Sequence, residues 1–227
     1  MKTNLFCIEG KVIVLTGGCG VLGSDMSQYL AKQGAKVVIL DRVKDKGEEL
    51  AAKIKSEGGE ALFLVTDVLN KETLEDNRNE IIKAYGKIDV LVNAAGGNMA
   101  GATIAPDKTI FDLEVDAFKK VVDLNLFGTV LPTMVFAKAM VDNGAGNIIN
   151  IASESALRPL TRVAGYGAAK AAVANFTKYM AGELALKFGE KFRVNALAPG
   201  FFITEQNRAL LTNPDGSYTD RARTILA

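Results

Sequence analysis

The sequence predicts an α/β fold, a parallel sheet doubly wound with helices on both faces. Three observations predict it. Six short runs are almost continuously apolar rather than alternating: Val12–Leu15, Val37–Leu40, Ala61–Val65, Ile88–Val92, Asn147–Ile151 and Arg193–Leu197. Strands of that kind are expected to be buried on both faces, as in parallel sheets. Between them lie helical patterns at Ser24–Gln33, Asp45–Glu57, Lys71–Tyr85, Asp116–Asn143 and Tyr166–Phe188. Gly34, Gly58, Gly86, Gly144 and Gly189 follow those patterns, where C-terminal caps belong. Strand–helix alternation of this order implies right-handed crossovers within one sheet. The third observation is a glycine-rich turn between the first strand and the first helix.

In chain order, the first strand ends at Thr16 and Gly17-Gly18-Cys19-Gly20-Val21-Leu22-Gly23 leads into the helix. Gly18, Gly20 and Gly23 fit G-x-G-x-x-G after a strand and before a helix, where a pyrophosphate cradle needs them. Glycines let the backbone turn sharply and let phosphate approach the amides. The helix N-terminus adds unpaired N–H groups and a positive partial charge. The second strand ends in Asp41-Arg42, about twenty residues beyond the glycines, where a carboxylate accepts hydrogen bonds from an adenosine ribose. A 2′-phosphate would meet a like charge at Asp41, so NAD is expected over NADP, although Arg42 is able to pair with that phosphate. The charge-rich segment Lys71–Tyr85 reads as a solvated outer face, and Pro132 is expected to kink the fourth helix. The two irregular stretches, 96–114 and 200–220, follow the fourth and sixth strands and are expected to form substrate loops on the same edge of the sheet. No seventh strand run precedes Ala227, so one domain over 1–227 with six strands is expected.

Composition narrows the function. The 27 Lys and Arg balance 26 Asp and Glu without a block of like charge, which argues against a nucleic-acid partner. Two cysteines and no histidine exclude a disulfide scaffold and leave no zinc ligand cluster; no metal is expected. Cys19 reads as a small space-filling residue in the phosphate turn or as a redox-sensitive thiol. The apolar stretch near Met1–Ile8 is too short for a signal peptide, and no apolar run reads as membrane-spanning. A cytoplasmic protein without a membrane partner is expected.

The chemistry concentrates in Tyr166-Gly167-Ala168-Ala169-Lys170. Side chains four apart share a helix face. An ammonium beside a phenol favours the phenolate and brings a group of pKa about 10 toward neutrality. Such a pair moves a proton to or from an alcohol oxygen. Ser153 stands at the carboxyl tip of the fifth strand, and Asn125 is a lone amide on an apolar helix stretch, read by itself as a satisfied core residue.

Taken together, Thr16–Gly23, Asp67-Val68, Asn93-Ala94-Ala95-Gly96, Asn125, Ser153, Tyr166/Lys170 and Pro199-Gly200 with Thr204 resemble the short-chain dehydrogenase/reductase family over essentially the whole chain. The resemblance implies a Rossmann-type domain and a catalytic set of Asn125, Ser153, Tyr166 and Lys170. Tyr166 would be the acid/base, Ser153 a hydrogen-bond partner of the substrate oxygen, Lys170 the holder of the nicotinamide ribose, and Asn125 the anchor of a relay water. It implies cofactor contacts from Gly17, Gly20, Val21, Leu22, Asp41 and Arg42. Further contacts would come from Asp67, Val68, Asn93, Ala94, Ala95, Tyr166, Lys170, Pro199, Gly200 and Thr204. The chain departs from the family's T-G-x-x-x-G-x-G, with Val21 in place of a glycine and Gly20 one position early, so the turn is expected to differ locally. Family members also continue into a further strand and a glycine-containing tail.

The loops Ala95–Asn98, Arg158–Thr161, Pro199–Arg208 and Asn213–Ser217 resemble a sugar-acid oxidoreductase subgroup of that family. A sugar acid, D-mannonate with its ketone D-fructuronate, is the implied substrate. Arg158 or Arg208 is expected to hold its carboxylate, with Asn98, Gln206 and Asn207 on its hydroxyls. Another polyol or sugar-acid dehydrogenase, similar to gluconate 5-dehydrogenase, is the second enzyme reading, and a non-catalytic nicotinamide-nucleotide sensor the third. The fourth and fifth helices carry apolar residues beyond one sheet-facing stripe: Val121, Val122, Leu126, Phe127, Val130, Met134, Val135 and Phe136, then Val173, Phe176, Tyr179, Met180 and Leu184. Such a surplus, like the family resemblance, points to a homodimer or homotetramer.

Overall fold

A computed structural model describes residues 6–203 and 208–226. Six strands are present among them: β1 Val12–Thr16, β2 Lys36–Asp41, β3 Glu60–Val65, β4 Val90–Asn93, β5 Gly146–Ile151 and β6 Phe192–Leu197. They form one sheet in the order β3-β2-β1-β4-β5-β6, and each neighbouring pair is parallel. The helices are α1 Val21–Lys32, α2 Lys44–Ser56, α3 Lys71–Tyr85, α4 Val115–Val122, α5 Gly128–Asp142, α6 Ala164–Phe188, α7 Arg208–Leu211 and α8 Asp220–Leu226. Chain order reverses between β1 and β4, and the crevice at their carboxyl ends is where such sheets bind ligands.

Alternation along each strand divides the core into two layers. Val12 and Val14 of β1 pack with Leu74, Ile81, Phe136, Met140 and Leu184 on the α3, α5 and α6 side. Ile13 and Leu15 pack with Ala31, Leu50 and Ile54 on the α1 and α2 side. The expected burial on both faces holds for β1 and for the middle of β2. It fails at the edges: Glu60 and Val65 of β3 are exposed, as are Arg193, Asn195, Ala196 and Leu197 of β6. Edge strands have one open side, and only one face of β6 is covered, by α6.

The expected fourth strand at Ile88–Val92 lies two residues later, at Val90–Asn93. Ile88 is fully buried but outside the ladder. The glycine stops are in place, with positive φ at Gly34, Gly58, Gly86, Gly144 and Gly189. The single helix expected over Asp116–Asn143 is two helices, α4 and α5, joined by one wide turn of π geometry at Asp123–Phe127. The irregularity lies one turn ahead of Pro132. A proline has no amide for the carbonyl four residues back and its ring crowds that group, so the helix is disturbed on its N-terminal side.

The run Val115–Asp142 is also long and apolar enough to cross a membrane by length and composition, which the sequence reading did not anticipate. Here it is a core element, packed on the sheet, α3 and α6, with the polar Asn125, Thr129 and Thr133 buried along it.

Register aligns the polar tips of three adjacent strands. Thr16 pairs with Asn93, and Asn93 with Asn150. Buried beneath the crevice, the Asn93 amide donates to Asn150 Oδ1 at 2.8 Å and Thr133 Oγ1 at 2.9 Å, and Asn150 donates to Thr177 Oγ1 at 2.9 Å. This row ties β4 and β5 to α5 and α6. Asn93→Ala leaves the Asn150 carbonyl oxygen without a donor and opens a small void. It is expected to cost about 2–3 kcal/mol in denaturant unfolding, well above an exposed Asn→Ala control.

Candidate active site

The glycine turn follows β1 directly. Its steric demands fall on Gly17, Gly18 and Gly23; a Cβ on Gly18 would lie 2.8 Å from Ile39 Cγ2. Gly17 has φ +66°, and a Cβ there would lie 2.7 Å from Ala95 Cα. A Cβ on Gly23 would lie 2.1 Å from the Gly17 carbonyl oxygen. Gly20, by contrast, has ordinary extended geometry as the residue capping α1, with only one near contact for a Cβ, at 3.3 Å. Of the G-x-G-x-x-G reading, Gly18 and Gly23 stand where a Cβ has no room and Gly20 does not, while Gly17 adds a close approach that the motif leaves out. Val21 accordingly takes the first helical position and is 40% exposed. No side chain caps α1, so its leading amides, at Val21 and Leu22, have no side-chain acceptor.

Asp41 sits beside this turn. Its Oδ2 accepts from the Cys19 amide at 3.0 Å and its Oδ1 from the Val43 amide at 3.1 Å. Each oxygen keeps a lone pair for a further donor, and Arg42 is exposed next to it. Burial, then the Asp41 charge, pushes the Cys19 thiol up to about 12. The thiolate is disfavoured, so Cys19 fills space and the redox-thiol alternative falls. On the opposite wall, Thr16 Oγ1 accepts from the Ala94 and Ala95 amides at 3.1 and 3.2 Å. Asp67 closes the turn after β3 by accepting from the Leu69 amide at 2.9 Å, and Val68 is buried against Gly128. A glycine cradle that a Cβ would fill, open helix-N-terminal amides and a fixed carboxylate fit a dinucleotide.

The proton-handling residues lie at the ends of β4 and β5. Asn125 stands in the wide turn, fully buried. Its amide donates to the Gly97 and Val121 carbonyls, both at 2.8 Å, and its Oδ1 accepts from the Gly97 amide at 3.0 Å. Gly96 is held between Asn125 and Lys170: a Cβ there would lie 2.7 Å from Asn125 Oδ1 and 3.3 Å from Lys170 Nζ. Ser153 follows β5 and hydrogen-bonds Tyr166, while its Oγ accepts from the Ser155 amide at 3.2 Å. Lys170 Nζ donates to the Ile151 carbonyl at 2.7 Å and lies 5.6 Å from the Tyr166 ring centroid.

The expected lowering of the phenol by Lys170 is not what these residues produce alone. Burial raises the Tyr166 pKa, and the Ser153 hydrogen bond only partly opposes it. Lys170 is itself buried, and desolvation takes its pKa from 10.5 to about 8. Desolvation, not the Lys170 charge, sets the direction of the shift at Tyr166.

The loops give a mixed result. Ala152 donates to the Leu197 carbonyl at 2.8 Å and Glu154 to the Pro199 carbonyl at 3.0 Å, which brings Pro199-Gly200 beside Ser153. Asn98 donates to Thr103 Oγ1 at 2.6 Å, and its Oδ1 is buried with no partner. Arg158 points outward, 83% exposed and paired with Glu154 at 3.2 Å. Arg208 begins α7 and is exposed. Thr204, Gln206 and Asn207 lie outside the described residues. Sequence reasoning missed Arg162, whose Nε donates to the Ile104 carbonyl at 2.6 Å. Its positive φ, 74°, has no signature in an arginine, and no periodicity distinguishes it. Among the described residues no cluster of potential metal ligands occurs.

The doubly wound sheet, the cradle at its switch point and the serine, tyrosine and lysine beside it define a nucleotide-dependent oxidoreductase. The short chain dehydrogenase family model matches residues 11–215, and the chain belongs to that family. It is 40% identical to the uncharacterised oxidoreductase UxuB of Bacillus subtilis, over 97% of this chain and 81% of that protein. A structure from Haemophilus influenza, a candidate D-mannonate oxidoreductase with bound NAD, superposes with a TM-score of 0.88 at 41% identity, over 96% of this chain and 81% of that one. An NAD-bound xylitol dehydrogenase superposes with a TM-score of 0.78 at 30% identity, over 86% and 71%.

Lys170 makes the apo protein sensitive to alkaline pH. Its folded pKa, about 8, lies below the 10.5 of an unperturbed lysine. Between those values the unfolded chain binds a proton that the folded chain lacks, so stability rises with pH across that window. Below the folded value the burial penalty is present in full. Denaturant unfolding at pH 8 and pH 10 is expected to show a gain of roughly 2–3 kcal/mol in wild type relative to Lys170→Met.

Proposed function

We propose that this protein transfers a hydride between NAD and the secondary alcohol or ketone of a sugar acid, with D-mannonate and D-fructuronate as the pair. The observation that carries the reading is the gathering of Ser153, Tyr166, Lys170 and Asn125 beside an intact dinucleotide cradle. A nucleotide sensor has no need of proton-handling groups. The bound-NAD, candidate D-mannonate oxidoreductase neighbour supports the choice of both cofactor and substrate.

In this reading the α1 N-terminus at Gly20, Val21 and Leu22, with Gly17, binds the pyrophosphate. Asp41 takes the adenosine ribose hydroxyls, with Arg42 beside them. Asp67 and Val68 flank the adenine. Asn93, Ala94 and Ala95 line the central wall, and Pro199, Gly200 and Thr204 border the nicotinamide. Bound NAD supplies the hydride acceptor, or in the reduced form the donor.

Tyr166 exchanges the proton at the substrate oxygen, and Ser153 donates a hydrogen bond to that same oxygen. Because burial keeps the phenol protonated at neutral pH, the resting residue is an acid, suited to reduction of the ketone. Oxidation of the alcohol needs the phenolate and is favoured by alkaline pH. Lys170 holds the nicotinamide ribose, and Asn125 positions a relay water. Asn98 offers its buried, unpartnered Oδ1 to a substrate hydroxyl. Assembly as a homodimer or homotetramer is supported by exposed Phe127, Met134 and Tyr179. Val121, Val135, Phe136, Val173 and Leu184, from the same helices, belong to the interior.

A polyol reading is favoured by the xylitol dehydrogenase likeness, and one experiment separates the two. Absorbance of the reduced nicotinamide is followed with a panel of sugar acids and neutral polyols. Turnover of a sugar acid is expected, and Tyr166→Phe is expected to lose at least about a thousandfold in kcat while keeping NAD affinity. Turnover of neutral polyols alone would overturn the substrate assignment, and an active Tyr166→Phe variant the role of the tyrosine.

The cofactor choice has its own check. With Asp41 fixed by two amides, kcat/KM for NAD is expected to exceed that for NADP by at least tenfold, and Asp41→Ser to narrow the gap.

A further inference from the structure

Arg162 is the strained residue of this molecule. It is the one described non-glycine residue with positive φ, 74°, a conformation that crowds an L side chain. Such strain persists where the surroundings hold it, and it gathers at ligand sites. What holds Arg162 is a two-point tie to the loop after β4. The Ile104 amide donates to the Arg162 carbonyl at 2.9 Å, and Arg162 Nε donates back to the Ile104 carbonyl at 2.6 Å.

That tie joins the loop after β4 to the segment before α6. Arg162 lies four residues before Tyr166, in the segment that leads into α6. Ile104 adjoins Thr103, whose hydroxyl accepts from Asn98. The partly buried guanidinium is therefore immobilised through Nε alone. Among the described residues no carboxylate pairs with its two terminal amino groups. Arg158 differs: it is neutralised by Glu154 and stands in solvent. A partly buried, immobilised guanidinium with two donors to spare is suited to receive an anion. The nearby Asn98 Oδ1, buried and without a donor, calls for a hydroxyl on the same wall.

We infer that Arg162 is the specificity-determining residue for an acidic substrate. Its terminal N–H groups receive the substrate carboxylate in a fork while Nε keeps the loop in place. This rests on the reading of the protein as a sugar-acid oxidoreductase and replaces Arg158 and Arg208 as the anchor.

The test uses the full chain with saturating NAD and D-mannonate. Arg162→Met is equally strained at φ 74°, so it removes the charge without a new backbone cost. Loss of a charged hydrogen bond is expected to raise KM roughly tenfold or more, with kcat at saturation within about twofold of wild type. Arg162→Lys is expected to recover part of the affinity, and Arg158→Met and Arg208→Met to keep wild-type KM. NAD affinity and the thermal midpoint report whether the loop has merely come loose. An unchanged KM in Arg162→Met overturns the inference. So does a loss that appears at Arg158 or Arg208 instead. So does an equal collapse of kcat and NAD affinity that lysine does not relieve. Wild type that turns over no sugar acid at all overturns the functional reading itself, a result seen before any variant is made.

Discussion

The site depends on one buried amide. Asn125 makes three hydrogen bonds with the backbone of the loop after β4 and of its own helix. A regular helix directs its carbonyls along the axis and leaves a side chain only its surface. The wide turn at Asp123–Phe127 instead sets Asn125 inward, across from Gly97. Its Oδ1 and Lys170 Nζ close on Gly96 from two sides, so a Cβ at that position has no room. The position of Lys170, and through it that of Tyr166, is thus coupled to the loop that leaves the central sheet. Ser153 enters by a different route, through the strand register that sets β5 beside β4 and β6.

Around that amide the protein carries a charge at a cost. Lys170 is buried, and a single carbonyl, Ile151, accepts from it. Burial lowers its pKa from 10.5 to about 8 and raises that of Tyr166 from its ordinary 10, so the two groups lie further apart than in water. Neither effect comes from their mutual attraction, which is the term the Tyr-x-x-x-Lys spacing suggests. Desolvation dominates because the crevice walls exclude water from both. In these residues alone the phenol therefore holds its proton more tightly than the lysine does.

The sheet was largely legible in the sequence because it repeats one unit. An apolar run, a helix and a terminal glycine each have a local cause, and the positive φ at Gly34, Gly58, Gly86, Gly144 and Gly189 is the kind of demand that only glycine announces. The candidate catalytic side chains were legible for the same reason: Ser153, Tyr166 and Lys170 stand at fixed offsets from strand ends and helix starts. Less was legible where the cause is tertiary. The wide turn has no local signature apart from the proline that follows it. The split of the expected long helix, and the shift of the fourth strand to Val90–Asn93, depend on what packs against them. The close approach at Gly17 depends on Ala95, almost eighty residues away.

Substrate recognition is the extreme of that dependence. Arginines were sought by nearness in sequence to Ser153 and to the loop after β6. For Arg158, nearness in sequence also brings a neighbour: Glu154, four residues before it, pairs with its charge. Arg162 is held from a loop that is distant in sequence, through a backbone conformation its residue type disfavours. A chemistry shared by a whole family belongs on strand ends, where register fixes every atom. Discrimination among substrates belongs on loops, where a single long-range tie sets a side chain that no local rule predicts. The carboxylate of Asp41 follows the first logic, locked by two neighbouring amides. Arg162, as proposed above, would follow the second, and its strain marks a place where the fold gives up local preference to hold a long-range contact.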